Sequence, residues 1–191
     1  MPQAARQRFS FRDYLRLEEE SAVKHEFLDG QAWAMAGGSP EHSAICANVV
    51  VLLGTQLRGR PCRVYESNLR VRIRATGLGT YPDVSVICDR LEVDPEDPTG
   101  HTALNPRLLV EVLSPSTAEY DRGEKLSHYQ QIEPLEEVVL VAHDARRLDV
   151  WRREPDGSWV CTAYDGDAVA TLRSVGCELA VTEVYRNPLP A

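Results

Sequence analysis

The spacing of hydrophobic and polar positions divides most of the chain into predicted helices and strands. Helical spacing is clearest after Ser39, which is a suitable N-cap. The two residues that follow it, Pro40 and Glu41, are favoured in the first turn of a helix. The apolar positions that follow recur at the interval of a buried helix face: Ile45, Val49, Leu52, Leu53 and Leu57. We therefore predict one long helix there, and Ser10 predicts the start of a shorter helix near the N-terminus.

Strand-like patterns fill much of the remaining chain. From Leu69 onward the residues alternate, so that Val71 and Ile73 would face the core and the intervening arginines the opposite side. Asp29-Gly30 predicts the turn of a hairpin, because this pair tolerates the positive φ angles that a tight turn needs. Further strands are predicted for YPDVSVIC, RLLVEVL and VVLVAHD, and a C-terminal hairpin for RRLDVWRREPDGSWVCTAY. Asp121 is predicted to cap a short helix after RLLVEVL.

The order of these elements predicts an α/β fold, with a mixed sheet flanked by helices rather than a β-sandwich. At 191 residues the chain has the size of one domain, which we predict to span residues 1–191. Hydrophobic residues make up 43% of the sequence and charged residues 26%, values typical of a globular protein rather than a disordered or disulfide-rich chain.

Charge and cysteine content narrow the class of protein. The formal net charge of −8 argues against a protein that binds nucleic acid over its whole surface, but leaves room for a local basic face. The five cysteines are expected to be buried free thiols, because no two have the spacing of a zinc knuckle. The N-terminus lacks the apolar core of a signal peptide and no segment has membrane-spanning length, so we expect a cytoplasmic protein without a membrane partner.

Two acidic residues interrupt consecutive apolar strands. Asp83 lies in YPDVSVI, and Glu111 lies in the middle of RLLVEVL. A buried carboxylate normally requires a cation, a metal or a proton. If the two strands pair, their backbones lie about 4.8 Å apart, so both carboxylates could bind one divalent cation. Mg²⁺ or Mn²⁺ is the predicted cofactor, because carboxylate oxygens suit both ions.

Lys125 and Tyr129 extend this candidate site. Lys125 follows Glu111 by 14 residues on the next predicted helix, and Tyr129 lies one turn further along the same face. Metal-assisted phosphodiester hydrolysis needs a metal that activates water and a cation that orients the nucleophile or stabilises developing charge. The alternatives are structural, since Glu111 could form a buried pair with an arginine and Tyr129 could only pack against the sheet.

Four sequence blocks resemble a known family: HEFLDG, SPEH, YPDVSVI and VEVLSPSTAEYDRGEKLSHY, within about residues 25 to 130. Pro82-Asp83 and the EVL that begins at Glu111 resemble the PD-(D/E)xK nuclease superfamily, except that Leu113 stands where the superfamily has its lysine. The four blocks together are similar to the bacterial Uma-type restriction endonuclease family. In that family the lysine has moved to the following helix, which matches Lys125.

The resemblance implies a restriction-endonuclease-like core over about residues 25–145, with flanking helices and an extra C-terminal β-hairpin. It makes Asp83 and Glu111 catalytic metal ligands and Lys125 the relocated catalytic lysine. The expected supporting residues are Glu26, Glu41, His42 and Tyr129. Glu41 and His42 could instead serve only the first turn of the long helix.

DNA is the predicted substrate and partner. The phosphate-contacting face is predicted on the alternating strand at Arg70, Arg72 and Arg74, with a merely solvated strand face as the alternative. We predict a metal-dependent endonuclease that hydrolyses DNA phosphodiester bonds by metal-activated water. The alternatives are a nuclease-fold module that binds DNA or protein without catalysis and, after it, a phosphatase. A homodimer would supply two sites for cutting both strands.

Overall fold

The computed structural model describes residues 8–187 and residue 189. The helices are α1 (Phe11–Glu20), α2 (Pro40–Gln56), α3 (Ala118–Tyr120), α4 (Leu126–Tyr129) and α5 (Val181–Val184), and a π-helical turn (Asp121–Lys125) joins α3 to α4. As predicted, Ser10 caps α1, in a capping box with Asp13, and Ser39 caps α2. Over the described residues, no helix is both long enough and apolar enough to cross a membrane.

Thirteen strands are found in the described residues: β1 (His25–Leu28), β2 (Gln31–Ala34), β3 (Cys62–Glu66), β4 (Arg70–Ile73), β5 (Leu78–Thr80), β6 (Val84–Cys88), β7 (Thr102–Ala103), β8 (Leu108–Val112), β9 (Glu137–Val141), β10 (Arg147–Arg153), β11 (Trp159–Asp165), β12 (Val169–Leu172) and β13 (Cys177–Ala180). The larger of two main sheets has the order β11-β10-β9-β8-β6-β3. Strands β8 and β9 are parallel and the other neighbours antiparallel, so the sheet is mixed, as predicted. The predicted C-terminal hairpin is β10–β11.

The crossover from β8 to β9 contains α3, the π-helical turn and α4, as a parallel connection requires. Side chains of β8 alternate between the two faces of the sheet. Val110 and Val112 pack with α2 in one core, whereas Leu109 packs in a second core on the opposite face. By the same alternation Glu111 lies on the second face, beneath the crossover helix.

The smaller main sheet has the order β2-β1-β5-β4-β7 and covers that second face. As predicted, Val71 and Ile73 of β4 are buried there, in the core that contains Leu109. The β1–β2 hairpin turns at Asp29 and Gly30, whose φ angles are 51° and 77°, as the sequence predicted. This hairpin brings the N-terminal part of the chain to the end of β8.

Two local predictions are wrong. Asp121 is not an N-cap, because the helix already begins after Thr117, and Asp121 is instead a buried residue of the π-helical turn. The five cysteines are not all free thiols, because antiparallel pairing of β3 with β6 places Cys62 opposite Cys88 and the two form a disulfide. The remaining cysteines are free, and Cys161 is exposed rather than buried.

Candidate active site

A cavity of about 310 Å³ lies where the β1–β2 hairpin, the start of β6, the end of β8 and the π-helical turn meet. Six acidic or basic side chains line it: Glu26, His42, Asp83, Glu111, Asp121 and Lys125. These residues come from five separate segments of the chain. The cavity therefore brings together the predicted catalytic residues and part of the predicted supporting set.

Strand pairing holds Asp83 beside Glu111. Strands β6 and β8 are antiparallel, with Val84 opposite Val110, so the pairing that the sequence analysis required is present. Asp83 directly precedes β6, and its Oδ2 accepts a hydrogen bond from the main-chain N–H of Val112 at 2.8 Å. Both acids thus belong to one corner of the larger sheet.

The π-helical turn places Lys125 and Asp121 on the buried side of the crossover helix. Single π-helical turns are frequent at functional sites. The Nζ atom of Lys125 lies 3.1 Å from Glu111 Oε1, 3.1 Å from Glu26 Oε1 and 3.6 Å from Asp121 Oδ1. We call Lys125 and these three acids the carboxylate cluster. All four residues are at most 5% exposed, so their charges interact with little screening by water.

The carboxylate cluster has three acids for one ammonium. Burial raises the pKa of Glu111 to about 8 despite the opposing charge of Lys125, and burial also raises the pKa of Asp121. Burial alone would lower the pKa of Lys125, but the carboxylate of Glu111 and its neighbours raise it well above its ordinary value. Lys125 therefore carries its charge, and the cluster as a whole has an excess of negative groups.

Two hydroxyl groups orient the acids of the cluster. Tyr129, which is 1% exposed, donates its phenolic hydrogen to Glu111 Oε1. Its contact with the site is therefore a hydrogen bond that orients Glu111. Thr80 donates to Glu26 Oε1, the oxygen that also faces Lys125. Each carboxylate is thereby held in one orientation toward the ammonium.

His42 connects the long helix to Asp83. Its Nε2 lies 3.2 Å from Asp83 Oδ2, and its Nδ1 lies 3.6 Å from the sulfur of Cys46, one turn further along α2. The hydrogen bond to Asp83 is the main cause that raises the pKa of His42 to about 10. Burial raises the pKa of the Cys46 thiol. His42 is thus a charged neighbour of Asp83 as well as a first-turn residue.

The donor atoms fit a hard divalent cation. Within residues 8–187 and 189, Asp83 Oδ1 and Glu111 Oε2 have no hydrogen-bond partner, because the contacts of each acid are made by its other oxygen. Both residues line the cavity, and carboxylate oxygens are suitable ligands for Mg²⁺ or Mn²⁺. The residues present therefore fit the metal that the sequence predicted.

Two of the three arginines predicted to contact DNA, Arg70 and Arg72, are instead paired with acids of the protein. Arg70 is buried, donates to the hydroxyls of Tyr81 and Thr102, and pairs with Asp97 at 3.4 Å. Arg72 pairs with Asp94 at 2.8 Å and stacks on the ring of Phe11. We call Arg70, Arg72, Asp94 and Asp97 the arginine network. The prediction that all three arginines form one phosphate-contacting face is wrong, because the acidic loop after β6 folds over β4 and pairs with Arg70 and Arg72. Of the three, only Arg74 is exposed.

Glu41 and Asp121 differ from the roles that the sequence suggested, a supporting site residue for Glu41 and a helix cap for Asp121. Glu41 is exposed on the first turn of α2 and does not line the cavity, so its helix-dipole role remains the better account. Asp121, interpreted from the sequence as a cap, belongs to the carboxylate cluster. The spacing of four residues between Asp121 and Lys125 could have indicated this pairing.

The fold of this chain has a counterpart among solved structures. It is similar to a crystal structure from Anabaena variabilis ATCC 29413 described as "a putative nuclease belonging to DUF820", with a TM-score of 0.70, 19% sequence identity, and coverage of 87% of this chain and 92% of that one. At that identity the similarity shows the fold alone. It confirms the predicted α/β fold with a mixed sheet and flanking helices.

The chain belongs to the Uma2 family, whose description is "Putative restriction endonuclease" and whose model matches residues 11–182. Two proteins of Synechocystis sp. (strain ATCC 27184 / PCC 6803 / Kazusa) are similar to it, and both are described as uncharacterized. The protein slr1290 is 38% identical over 187 residues, which cover 97% of this chain and 96% of that one. The protein sll1609 is 31% identical over 155 residues, which cover 81% and 86%. The resemblance found in the sequence is thereby confirmed.

Proposed function

We propose that the protein is a divalent-metal-dependent endonuclease that hydrolyses phosphodiester bonds of DNA. The observation that carries this proposal is the carboxylate cluster, in which three buried acids surround one ammonium beside Asp83 in a single cavity. Membership of the Uma2 family supports the same class of reaction. A buried excess of negative charge is costly for stability alone, and binding of a cation offsets that cost.

Asp83 and Glu111 would hold Mg²⁺ or Mn²⁺ through the oxygens that have no hydrogen-bond partner in the described residues. When bound, the metal supplies Lewis-acid chemistry, which lowers the pKa of the attacking water and shields the phosphate. Tyr129 and the main-chain N–H of Val112 keep the two ligand carboxylates in position. This arrangement needs little movement of the chain before the reaction.

Lys125 acts as a cation rather than as a base. Its raised pKa keeps the ammonium protonated, so the group donates hydrogen bonds and cannot accept a proton. Glu26 and Asp121 hold this ammonium against Glu111, next to the place where a scissile phosphate would bind. Lys125 would stabilise the negative charge that develops on the phosphate oxygens in the transition state. Among the three predicted arginines, Arg74 is the remaining candidate for contact with the DNA backbone.

The test compares Asp83→Asn with Asp89→Asn as a matched control. Asp89 follows the same strand, is exposed and adopts a positive φ of 61° that asparagine also tolerates. Cleavage of plasmid and single-stranded DNA is measured with Mg²⁺ and Mn²⁺, together with calorimetric titration of each metal. We expect Asp83→Asn to lose at least about 100-fold in rate and to bind metal weakly, whereas Asp89→Asn resembles wild type. Wild-type cleavage by Asp83→Asn would overturn the proposed site.

The net charge of −8 repels DNA phosphates, and this repulsion motivates one other function, a nuclease-fold module that binds DNA or protein without hydrolysis. The same experiment separates the two functions. Binding of metal and DNA by the wild-type protein, without cleavage of any of these substrates, would favour the binding module. Cleavage that depends on Asp83 would exclude it.

A further inference from the structure

A second set of donor atoms lies beside the carboxylate cluster and differs from it in chemistry. His42, Cys46 and Asp83 each offer one ligand atom, and these three atoms all lie within 4.8 Å of one another. His42 and Cys46 are four residues apart on α2, a spacing that places both side chains on one face of the helix. Asp83 approaches that face from the start of β6. The set therefore combines nitrogen, sulfur and oxygen.

This combination suits a different class of metal from Mg²⁺. Mg²⁺ prefers oxygen ligands, whereas imidazole and thiolate favour Zn²⁺ and similar transition metals. Three protein ligands with a fourth position left for water are typical of open zinc sites. All three residues also line a neighbouring cavity of about 730 Å³, which would give an ion and its water access to the donor atoms.

We propose that His42, Cys46 and Asp83 form a binding site for a zinc-class divalent ion, distinct from the Mg²⁺ or Mn²⁺ site at Asp83 and Glu111. At present both ring nitrogens of His42 are used, one toward Asp83 and one toward Cys46. Binding of the ion would replace one of these contacts by a metal–nitrogen bond and would form a metal–sulfur bond. The thiol of Cys46 and the imidazolium of His42 each release one proton to solvent, and no electron is transferred.

The two proposed sites share Asp83, and this sharing has a consequence for metal choice. A zinc-class ion bound by His42 and Cys46 would compete for the carboxylate that the proposed nuclease site needs for Mg²⁺. Zn²⁺ is therefore expected to inhibit cleavage at concentrations far below those of Mg²⁺. This consequence alone rests on the proposed function, whereas the binding site itself does not.

The test is a titration of the purified full chain with Co²⁺, in a buffer without added thiol, followed by absorption spectroscopy. Co²⁺ stands in for Zn²⁺, and its bond to a thiolate produces a charge-transfer band in the near ultraviolet. The test variant is Cys46→Ser, and Cys161→Ser is its matched control because Cys161 is a free thiol on the surface. A third variant, Glu111→Gln, changes only the carboxylate cluster. DNA cleavage is not part of this measurement, so its outcome is separate from that of the nuclease proposal.

We expect one equivalent of Co²⁺ to produce the band in wild type, Cys161→Ser and Glu111→Gln, and one equivalent of Zn²⁺ but not excess Mg²⁺ to remove it. Cys46→Ser should lose the band and bind Zn²⁺ at least about tenfold more weakly. Absence of the band in wild type, its survival in Cys46→Ser, or its removal by Mg²⁺ would overturn the proposal.

A second measurement uses only the wild-type chain, in case Cys46→Ser does not fold. Alkylation of the free thiols is followed by peptide mass mapping with and without Zn²⁺. We expect Zn²⁺ to slow alkylation of Cys46 at least about tenfold and to leave Cys161 unchanged. Equal alkylation of Cys46 in both conditions would overturn the proposal as clearly as the spectroscopic result.

Discussion

The carboxylate cluster and the arginine network are both buried sets of charges, yet they are built differently. In the arginine network each guanidinium has its own acid, Arg70 with Asp97 and Arg72 with Asp94. In the carboxylate cluster one ammonium, Lys125, is shared among three acids that line a cavity with Asp83. The first set is balanced and the second is short of positive charge.

This difference teaches that burial of charge does not by itself indicate a functional site. A balanced pair satisfies its own electrostatics and serves the fold, since paired charges with hydrogen bonds are tolerated in protein interiors. A set with excess negative charge is stable only if protons or cations compensate it. Metal should therefore affect the carboxylate cluster and leave the arginine network unchanged.

The largest effect is expected from Lys125→Met, which removes the only ammonium found in the carboxylate cluster among the described residues. Three buried acids then lack the cation that they share, so the free energy of unfolding in a chelator should fall by about 3–5 kcal/mol. Mg²⁺ should recover part of this loss, because the ion replaces the missing positive charge. Cleavage at saturating Mg²⁺ should fall at least about 100-fold, because the charge that develops on the phosphate is no longer stabilised by an ammonium. Urea denaturation with and without Mg²⁺, and cleavage assays on the folded variant, measure these effects.

Arg70→Met in the arginine network is the matched control for Lys125→Met. We expect its free energy of unfolding to fall by about 3 kcal/mol, the low end for a broken buried ion pair. The loss is limited because Thr99 and Thr102 still donate hydrogen bonds to Asp97. This loss should be the same with and without Mg²⁺, and the folded variant should retain cleavage. An equal response of the two variants to Mg²⁺ would contradict the contrast between the two sets.

A smaller effect is expected from pH. Burial raises the pKa of Glu111 from 4.5 to about 8, so between these values the folded protein holds a proton that the unfolded chain releases. Stability contributed by this group is present below pH 4.5 and is lost as pH rises through 8. In a chelator, the free energy of unfolding should fall by about 2 kcal/mol more between pH 6 and pH 8 in wild type than in Glu111→Gln. Denaturation curves with parallel pH dependence in both proteins would contradict this prediction.

The smallest effect is expected from Glu96→Gln. The carboxylate of Glu96 lies 3.1 Å from Arg72 but is 57% exposed, and Arg72 keeps its buried partner Asp94. Exposed ion pairs contribute little, so the free energy of unfolding should change by less than about 0.5 kcal/mol. Thermal and urea denaturation measure this change. A loss above about 1 kcal/mol would show that the arginine network depends on its exposed acid as well as its buried ones.

The parts of the site that follow from local patterns could be predicted from the sequence. The apolar segments that contain Asp83 and Glu111 indicated two strands that could pair, and the structure pairs them as β6 and β8. Helical spacing after Glu111 indicated that Lys125 could lie over the sheet near Glu111, where the structure places it. Glu26 and His42 were expected from the family blocks, and the structure places both beside the predicted acids. These inferences succeed because strand alternation and helix periodicity are properties of short segments.

The remaining features depend on contacts between distant segments. The alternation around Arg70 and Arg72 distinguishes two faces of a strand but does not show that a loop carrying Asp94 and Asp97 covers one of them. Likewise, Asp121 matches a capping pattern, and only the earlier start of the helix makes it an interior residue. Cys62 and Cys88 are 26 residues apart and meet only through the register of β3 with β6.

The position of Glu26 on the β1–β2 hairpin has a consequence for the assembly of the carboxylate cluster. Glu26 belongs to the smaller sheet and Glu111 to the larger one, and Lys125 contacts both. The ammonium thus connects the two sheets, and it joins Glu26 near the start of the chain to Glu111 in its second half. Without the docked hairpin, the carboxylate cluster lacks one of its three acids. The carboxylate cluster is therefore complete only after contacts between segments far apart in sequence have formed, and such contacts are slow to form because loop closure must precede them.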